Sequence, residues 1–521
     1  MIRPTPADRP DSVKATEPTA ATENTAATQP TEKTENTART GRPRRRAVVI
    51  GGGLAGMLAA AALAEFSDEV TVVERDRLPA GPDPRTSLPQ ARHVHLLWSG
   101  GARAFEQLLP GITAEWLAAG ARRIPLPTGL VTMTAQGWLR RWPEMQHMIA
   151  CSRDLLDWVV RRRVLDLPAV TLLQGHEMRA LEGTRARVTG VRVGRPDGSE
   201  RLLPADLVVD ASGRGSRAVG WLGGLGVTGV TEAEVDSGLV YATRVYRAPA
   251  GAENFPVVNV QANAAEPVPG RTATIVPVEN GRWLVTLSGT RGGEPTADPA
   301  RFEEFALREM RHPVVGELIS LAAPLSDTVT LTRSTVNRRR YFEKVPAWPD
   351  GFIAVGDSVA TYNPLYAHGM SVAAQGLVEL RNTLRLHRIG TPGLAGRVQR
   401  AVARPVGLAW DLATSQDILY PGAVGRRPGT ASTVANHYVN RLAHSALGRA
   451  RLTRAFLGVL TLSEPPSTWL HPDTVVATLR GPGRELLTGP PLTEEEWKVA
   501  SGDPRTGTEP HSDTGAGTGS S

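Results

Sequence analysis

Three glycines near the start of the chain have the spacing of a dinucleotide-binding turn. Gly51, Gly53 and Gly56 match G-x-G-x-x-G. In this pattern the first glycine makes a tight turn, the second lets a pyrophosphate approach the backbone, and the third lets a helix pack on a strand. Glu74 follows at the distance where a carboxylate accepts hydrogen bonds from a ribose and repels a 2′-phosphate. The spacing predicts a site for FAD or NAD rather than NADP.

A carboxylate far along the chain distinguishes these two cofactors. The stretch GFIAVGD predicts a strand that ends at Asp357, where a carboxylate can accept a hydrogen bond from the ribityl chain that FAD has and NAD lacks. Pro364 predicts a turn, and Gly369 and Met370 begin a predicted helix whose free N–H groups would face the anionic edge of a reduced flavin. Together these residues favour FAD.

The elements that position these residues can be read from the same stretches. AVVI predicts a strand, an alanine-rich helix begins near Leu54, and Val70 to Glu74 predicts a second strand. This is the β–α–β unit that the glycine pattern requires. The uncharged run from Ala47 to Ala64 is near the lower limit of length for a membrane span. Three consecutive glycines divide this run into the strand and the helix, so we predict no stable membrane span.

Composition and charge exclude several other classes of protein. The 521 residues are 41% hydrophobic and 21% charged, which is ordinary for a soluble globular protein. The net charge of +7 comes from dispersed arginines without zinc-finger or aromatic-interleaved motifs, so we expect no nucleic-acid partner. The single cysteine, Cys151, favours a reducing compartment, and we predict a cytoplasmic protein. His93 and His95 alternate on a predicted strand without a third ligand, so we expect no metal.

Three separated segments resemble the fingerprints of flavoprotein monooxygenases of the aromatic-hydroxylase and squalene-epoxidase type. They are VVIGGGLAGMLAAAALA…VVERD, ADLVVDASGRGSR and GDSVATYNPLYAHGMS. Further blocks, among them MIACSRDLLDW, VDSGLVYATRVYRAP and RWLVTLSGTRGGEP, resemble the flavin-dependent polyene epoxidases of polyether ionophore biosynthesis, such as the lasalocid and monensin epoxidases. The resemblance runs from about Ala47 to about Pro490. One departure is that Ala367 and His368 stand near the position where many relatives have a glycine pair or Gly-Gln.

The resemblance implies an α/β composite fold. It comprises a Rossmann-like FAD-binding domain, a mixed β-sheet substrate domain and a helical C-terminal region. The expected boundaries are 42–97, 150–226 and 333–386 for the FAD-binding domain, 98–149 and 227–332 for the substrate domain, and 387–500 for the helical region. Residues 1–41 and 501–521 are predicted to be disordered tails, because they contain few large apolar residues to bury.

The resemblance also implies which residues bind the cofactor. Glu74 resembles the ribose ligand, Arg92 the basic residue near the flavin, Arg153 the arginine that contacts the FAD backbone, and Asp357 the ribityl and pyrophosphate contact. The full expected set is Gly51, Gly53, Leu54, Ala55, Gly56, Glu74, Arg75, Arg92, Arg153, Met178, Asp210, Asp357, Pro364, Gly369 and Met370. The aromatic residues that would either line a substrate cavity or belong to the core are Trp138, Trp142, Phe255 and Trp283.

The implied reaction is the epoxidation of alkenes in a linear polyketide polyene. In this family a flavin C4a-hydroperoxide, formed from reduced FAD and O2, transfers oxygen to the alkene, so we expect no side chain to act as an acid–base catalyst. An epoxide hydrolase would act on the product. A second dinucleotide motif is missing from the sequence. NAD(P)H would therefore reduce the flavin by transient contact or through a separate flavin reductase.

Four alternatives remain open at the level of the sequence. An aromatic hydroxylase would share all three fingerprints. A flavin-dependent alkene reductase would share the fold but add hydrogen rather than oxygen. A flavin halogenase usually carries W-x-W-x-I-P, which this sequence lacks. A non-enzymatic membrane or nucleic-acid binder would leave the flavin motifs unexplained, and Glu74→Ala with Asp357→Ala would then change nothing.

Overall fold

The computed structural model describes residues 44–85, 88–333 and 336–502. The predicted N-terminal tail, residues 1–41, lies outside these ranges, as does the predicted C-terminal tail from residue 503 onward. The first residue of that predicted C-terminal tail, Ser501, is the last residue of a helix.

Helices and strands follow each other along the whole described part of the chain. The helices are α1 (Leu54–Ala64), α2 (Ser99–Leu108), α3 (Ile112–Ala118), α4 (Arg153–Leu165), α5 (Ala218–Gly224), α6 (Pro299–Arg308), α7 (Val314–Ile319), α8 (Gly369–Leu386), α9 (Leu394–Asp417), α10 (Thr430–Ala446), α11 (Ala450–Leu460), α12 (Pro472–Arg480) and α13 (Glu494–Ser501). The strands are β1 (Arg46–Ile50), β2 (Glu69–Glu74), β3 (Leu96–Trp98), β4 (Arg122–Leu126), β5 (Leu130–Thr134), β6 (Gly137–Trp138), β7 (Gln146–Ala150), β8 (Val170–Gln174), β9 (Glu177–Gly183), β10 (Val188–Gly194), β11 (Glu200–Pro204), β12 (Leu207–Asp210), β13 (Glu232–Asp236), β14 (Val240–Arg247), β15 (Val257–Val260), β16 (Arg271–Val278), β17 (Arg282–Gly289), β18 (Ala323–Pro324), β19 (Thr330–Thr332), β20 (Asn337–Arg340), β21 (Phe352–Ala354), β22 (Ala360–Thr361) and β23 (Val424–Gly425).

Five parallel strands form the sheet that carries the glycine-rich turn. Their order is β21-β12-β1-β2-β8. The central strands are short runs of buried, β-branched residues, which is typical of a parallel sheet covered on both faces. Helix α1 joins β1 to β2 and is buried on nearly every side, because alanine lets it lie close to α4 and α8. The predicted strand–helix–strand unit is present.

Two sequence predictions about strands were wrong. Strand β21 ends at Ala354, before Asp357, because Gly356 adopts a φ of +60° and turns the chain into a short 3-10 helix over Gly356–Ser358. His93 and His95 do not alternate on a strand. The 3-10 helix Pro89–Arg92 precedes them, and the ring Nδ1 of His95 bonds to the carbonyl of His93 at 2.9 Å.

A second sheet of eight strands forms the other half of the molecule. Its order is β18-β14-β17-β16-β15-β5-β6, with β19 also paired to β14. Its pairs are antiparallel except for β15 with β5. Helices α6 and α7 cover one face through Phe302 and Val314. The other face, called here the inner face, packs on Leu96, Met148 and Ala367. The predicted α/β composite with a mixed sheet is confirmed.

The remaining strands form three smaller sheets. There are two three-stranded sheets, β3-β7-β4 and β11-β10-β9, and a four-stranded sheet, β22-β20-β13-β23. Helix α8 packs on α1, α2 and α9 at the centre of the larger hydrophobic core. Helices α9 to α13 and the short strand β23, which pairs with β13, make up the C-terminal region. Within residues 44–85, 88–333 and 336–502 no helix combines the length and hydropathy needed to cross a bilayer.

Candidate active site

The glycine-rich turn places an uncapped helix end next to open space. Gly51 has a φ of +100°, and a Cβ there would lie 2.6 Å from the carbonyl oxygen of Ala211. A Cβ on Gly56 would overlap the carbonyl oxygen of Gly51, so only glycine lets α1 lie this close to β1. Gly53 is the N-cap of α1 without a side-chain cap, and a Cβ there would meet nothing within 4 Å. The first N–H groups of α1 can therefore bind a phosphate.

Glu74 ties the end of β2 to this turn. Its buried carboxylate accepts hydrogen bonds from the backbone N–H of Gly52 at 2.7 Å and of Asp76 at 3.0 Å. The Arg85 guanidinium also pairs with Glu74 at 3.0 Å and with Asp76 at 3.3 Å, and donates to the carbonyl of Gly52. Sequence reasoning missed Arg85. The signal that could have found it is a cation in the loop after a ribose-type carboxylate.

Asp357 lies where the first turns of α1 and α8 meet. A Cβ on Gly356 would lie 3.0 Å from that of Ala55, and one on Gly369 would lie 3.8 Å from Oδ1 of Asp357. Asp357 lies deep in the molecule, but its side chain is exposed because it faces a cavity of about 140 Å³. Limited hydration there raises the pKa of Asp357, and the charges of Arg214 and Arg153 act in the opposite direction. The other residues that line this cavity are Arg214, Val336, Arg338, Arg340 and Thr361.

A buried carboxylate at the end of α9 holds the turn that precedes α8. Both oxygens of Asp417 accept from Nδ2 of Asn363, at 3.1 and 2.9 Å. The hydroxyl of Tyr366 donates to Oδ1 at 2.9 Å, and Nδ2 of Asn337 donates to Oδ2 at 2.7 Å. Between this anchor and Gly369, Ala367 adopts a φ of +52°, a conformation that favours glycine. The positive φ explains why many similar sequences have glycine near this position, where this chain has Ala367.

The same turn packs on an apolar cluster below the inner face of the eight-stranded sheet. Ala367 and Trp98 contact this cluster, and the indole N–H of Trp98 donates to the carbonyl of Tyr366 at 2.9 Å. Its buried residues are Leu96, Ile124, Leu126, Leu130, Met148, Ala150, Val257, Val276, Val278, Leu284 and Leu457. On the side of the sheet the turn therefore contacts apolar side chains.

Comparison with known proteins decides the family. A family model described as "FAD binding domain" matches residues 44–393, more than half of the chain. The chain belongs to the FAD binding domain family. Protein Rv3254 of Mycobacterium tuberculosis is 32% identical over 398 residues, which cover 73% of this chain and 82% of that protein. Kynurenine 3-monooxygenase of Salinispora arenicola is 28% identical, over 77% of this chain and 86% of the relative. This member of the FAD binding domain family is thus an FAD-dependent monooxygenase.

Solved structures agree with the fold. The p-nitrophenol 4-monooxygenase PnpA of Pseudomonas putida superposes with a TM-score of 0.55 at 16% identity, over 81% of this chain and 98% of that one. PqsL of P. aeruginosa, in complex with 2-aminobenzoylacetate, gives a TM-score of 0.52 at 18% identity, over 80% and 99%. At these identities the likeness supports the fold alone.

The residues of this FAD binding domain protein fit its cofactor. The uncapped start of α1, with Leu54 and Ala55 in its first turn, suits the pyrophosphate. Glu74 suits the ribose, and Asp357 the ribityl chain. Helix α8 also starts without a side-chain cap, at Gly369 and Met370 after Pro364, where its positive end suits an anionic flavin edge. The structure brings these residues together along one path.

Five other expected FAD-binding residues lie in different surroundings. Arg153 pairs with Asp157 at 2.6 Å, and its positive charge also acts to lower the pKa of Asp357. Arg75 and Arg92 are exposed. The positive charge of Arg92 opposes the rise in the pKa of Asp154 that burial causes. Met178 is buried in the core. The buried carboxylate of Asp210 accepts hydrogen bonds from the hydroxyls of Ser212 at 2.6 Å and Ser216 at 2.5 Å, so it stabilises the loop that follows β12.

The aromatic candidates for a substrate cavity belong mainly to the core. Phe255 and Trp283 pack with ring centroids 5.1 Å apart, in the core that α6 and α7 cover. Trp138 packs edge-on against His312 in the same region. Trp142 is partly exposed, and the guanidinium of Arg484 lies 5.0 Å from its ring. The first three residues therefore lie on the face opposite the inner face.

Proposed function

We propose that this FAD-dependent monooxygenase epoxidises alkenes of a linear polyene polyketide. The observation that supports this proposal most is the apolar cluster that packs against Ala367. Transfer of oxygen to an alkene needs a site from which water is excluded. Two of the sequence blocks that resemble polyene epoxidases contain strands β14 and β17, which form part of the same sheet.

Bound FAD would supply the activation of O2, and the protein would bind, orient and enclose the reactants. The start of α1 would bind the pyrophosphate and the start of α8 the flavin edge, while Glu74 and Asp357 would bind hydroxyl groups of the ribose and the ribityl chain. The network around Asp417 holds the turn from Asn363 to Gly369 in place. These roles need no acid–base side chain.

Electrons would come from NAD(P)H, either directly or through a separate flavin reductase. An epoxide product is a substrate for opening by water or an internal hydroxyl. An epoxide hydrolase is therefore the class of enzyme that would consume it.

Hydroxylation of an aromatic ring is the second candidate. It is favoured by the similarity to kynurenine 3-monooxygenases, which extends over 77% of this chain. The two candidates differ in the product. An epoxidase removes an alkene, whereas a hydroxylase keeps the ring and adds a hydroxyl group.

Mass spectrometry with ¹⁸O2 separates these candidates. The FAD-loaded protein is incubated with NADPH, a flavin reductase and either a linear polyene ester or kynurenine. We expect the polyene to gain one or more ¹⁸O atoms and to lose alkene signals in its NMR spectrum. Unchanged polyene together with hydroxylated kynurenine would overturn the proposal in favour of the second candidate. A reaction without the reductase tests whether NADPH acts directly.

A further inference from the structure

A line of five polar side chains crosses the inner face of the eight-stranded sheet. They lie at one level because Thr132 is in register with Asn259, Asn259 with Thr274, Thr274 with Thr286, and Thr286 with Thr243. We call these five residues the polar row. Each belongs to a different strand, so the row spans β5, β15, β16, β17 and β14.

The polar row lies directly beside the apolar cluster. Side chains two positions apart on a strand share a face. The neighbours two residues before Thr132, Asn259 and Thr286 are Leu130, Val257 and Leu284, and all three belong to the cluster. Packing alone would favour apolar side chains across such an interior face. The row therefore marks a change from apolar to polar chemistry on the surface that faces the turn before α8.

Hydrogen bonds join the members of the row. Thr132 donates to Oδ1 of Asn259 at 3.2 Å, and Nδ2 of Asn259 donates to Oγ1 of Thr274 at 2.7 Å. The hydroxyls of Thr243 and Thr286 lie 2.6 Å apart. Because Thr274 accepts from Asn259, its own O–H remains available as a donor. The arrangement fixes the direction of the Asn259 amide before any ligand arrives.

The middle of the row is less buried than the neighbouring cluster. Asn259 and Thr274 are partly exposed although they lie on central strands, whereas Val257 and Val276, two positions away, are buried. A ligand on the inner face can thus reach the amide of Asn259 and the hydroxyl of Thr274.

The row offers hydrogen bonds without charge. Its members are four threonines and one asparagine. The neighbouring histidine, His93, bonds to Thr243 and Thr332 through its two ring nitrogens, each at 2.7 Å. Burial lowers the pKa of His93 to about 4, so its ring is neutral near pH 7. A carboxylate or ammonium group would find no opposite charge in the row, whereas a hydroxyl or carbonyl oxygen would be recognised.

We propose that the polar row recognises uncharged oxygen atoms of the substrate, so that the substrate class is a neutral, oxygenated, otherwise apolar chain. This inference rests on the proposed function, since it assumes that the substrate lies on the inner face. The apolar part of the chain would lie beside the buried cluster, and its hydroxyl or ketone groups over Asn259 and Thr274.

Binding of paired probes to the FAD-loaded enzyme tests the proposal without any reaction. The probes are a linear polyene ester with one hydroxyl group, its deoxygenated analogue and its free acid, and the flavin absorbance reports Kd. We expect Thr274→Val to weaken binding of the hydroxylated probe about threefold to tenfold, the effect of one neutral hydrogen bond, and to leave the deoxygenated probe unchanged. Thr274→Ser should restore the preference, because it keeps the hydroxyl group.

Thr171→Val is the matched control, because Thr171 is exposed on β8 in the other sheet. Equal effects of Thr274→Val on both probes, or tighter binding of the free acid than of the ester, would overturn the proposal. Oxygen gain is measured separately. Selective binding without epoxidation would reject the proposed function and leave the recognition role intact. Epoxidation without selective binding would reject the recognition role and leave the proposed function intact.

Discussion

Glu74 joins the glycine-rich turn to the loop after β2. It accepts from Gly52 in the glycine-rich turn and pairs with the nearly buried Arg85, whose side chain is 8% exposed. We predict that Glu74→Ala lowers the affinity for FAD about tenfold or more, because it removes a charge-assisted acceptor. It should also lower the free energy of unfolding by roughly 3 kcal/mol, because Arg85 loses one of its two carboxylate partners. Flavin fluorescence and urea denaturation measure these effects.

The matched control is Glu69→Ala at the other end of the same strand. Glu69 pairs with Arg46 at 3.6 Å, and both side chains are 48% exposed, so this pair contributes little. Equal loss of FAD in both variants would show that the effect of Glu74 is not specific to the turn.

Buried histidines make the stability depend on pH in a definite direction. Burial lowers the pKa of His93 and of His368 to about 4, against about 6.5 in an unfolded chain. Between pH 4 and 6.5 the unfolded chain binds more protons than the folded chain. The contribution of the two neutral histidines to the free energy of unfolding is therefore complete above pH 6.5 and is lost as the pH falls toward 4. Each adds a slope of up to about 1.4 kcal/mol per pH unit. We predict that His93→Asn flattens the slope in urea denaturation from pH 4.5 to 6.5.

His437→Asn serves as the matched control for that experiment, since His437 is exposed on α10. An unchanged slope in His93→Asn would contradict the assignment of a buried neutral ring.

At the scale of elements, the end of α9 fixes the turn before α8. Asp417 accepts from three donor side chains and is 1% exposed. In Asp417→Asn one acceptor oxygen becomes an amide donor, so at least one of these partners is left unpaired. We predict a loss of roughly 1–3 kcal/mol in the free energy of unfolding. A looser turn should also raise the NADPH consumed per product formed.

The matched control is Asp411→Asn, because Asp411 is exposed on the same helix. Both quantities are measured in parallel, by urea denaturation and by comparing NADPH consumption with product. Identical behaviour of the two variants would mean that the network does not hold the turn.

Local patterns explain which elements were predictable. The strand β1, the turn and helix α1 follow from contiguous residues, so spacing alone predicted them. The end of β21 depended on Gly356, whose positive φ lets the chain pass Ala55, a contact that no local pattern records. The hydrogen bond between Asn363 and Asp417 joins residues 54 positions apart, so no local sequence pattern could predict it either. Asp357 lies beyond the strand, and a Cβ on Gly369 at the start of α8 would lie 3.8 Å from its Oδ1.

At the scale of the whole molecule, the C-terminal region supports the flavin-side helices. The segment after α11 accepts from the backbone N–H of Gly100 at 3.1 Å, through Thr461, and from the side chain of Gln375 at 2.8 Å, through Leu462. His368 donates to the carbonyl of Leu460 at 3.0 Å. Residues more than 80 positions away therefore hold the start of α2 and the first two turns of α8.

Gly100→Ala tests this support with a single methyl group. A Cβ on Gly100 would overlap the carbonyl of Leu462, whereas one on Gly220, in α5, would meet nothing within 4 Å. We predict that Gly100→Ala lowers the free energy of unfolding by roughly 1–3 kcal/mol, because the segment must shift. Gly220→Ala should leave it unchanged or raise it by up to about 1 kcal/mol, because alanine favours a helix. Since the shifted segment also bonds to His368 and Gln375, FAD affinity should fall only in Gly100→Ala. Equal FAD affinity in the two variants would mean that the cofactor site does not depend on the C-terminal region.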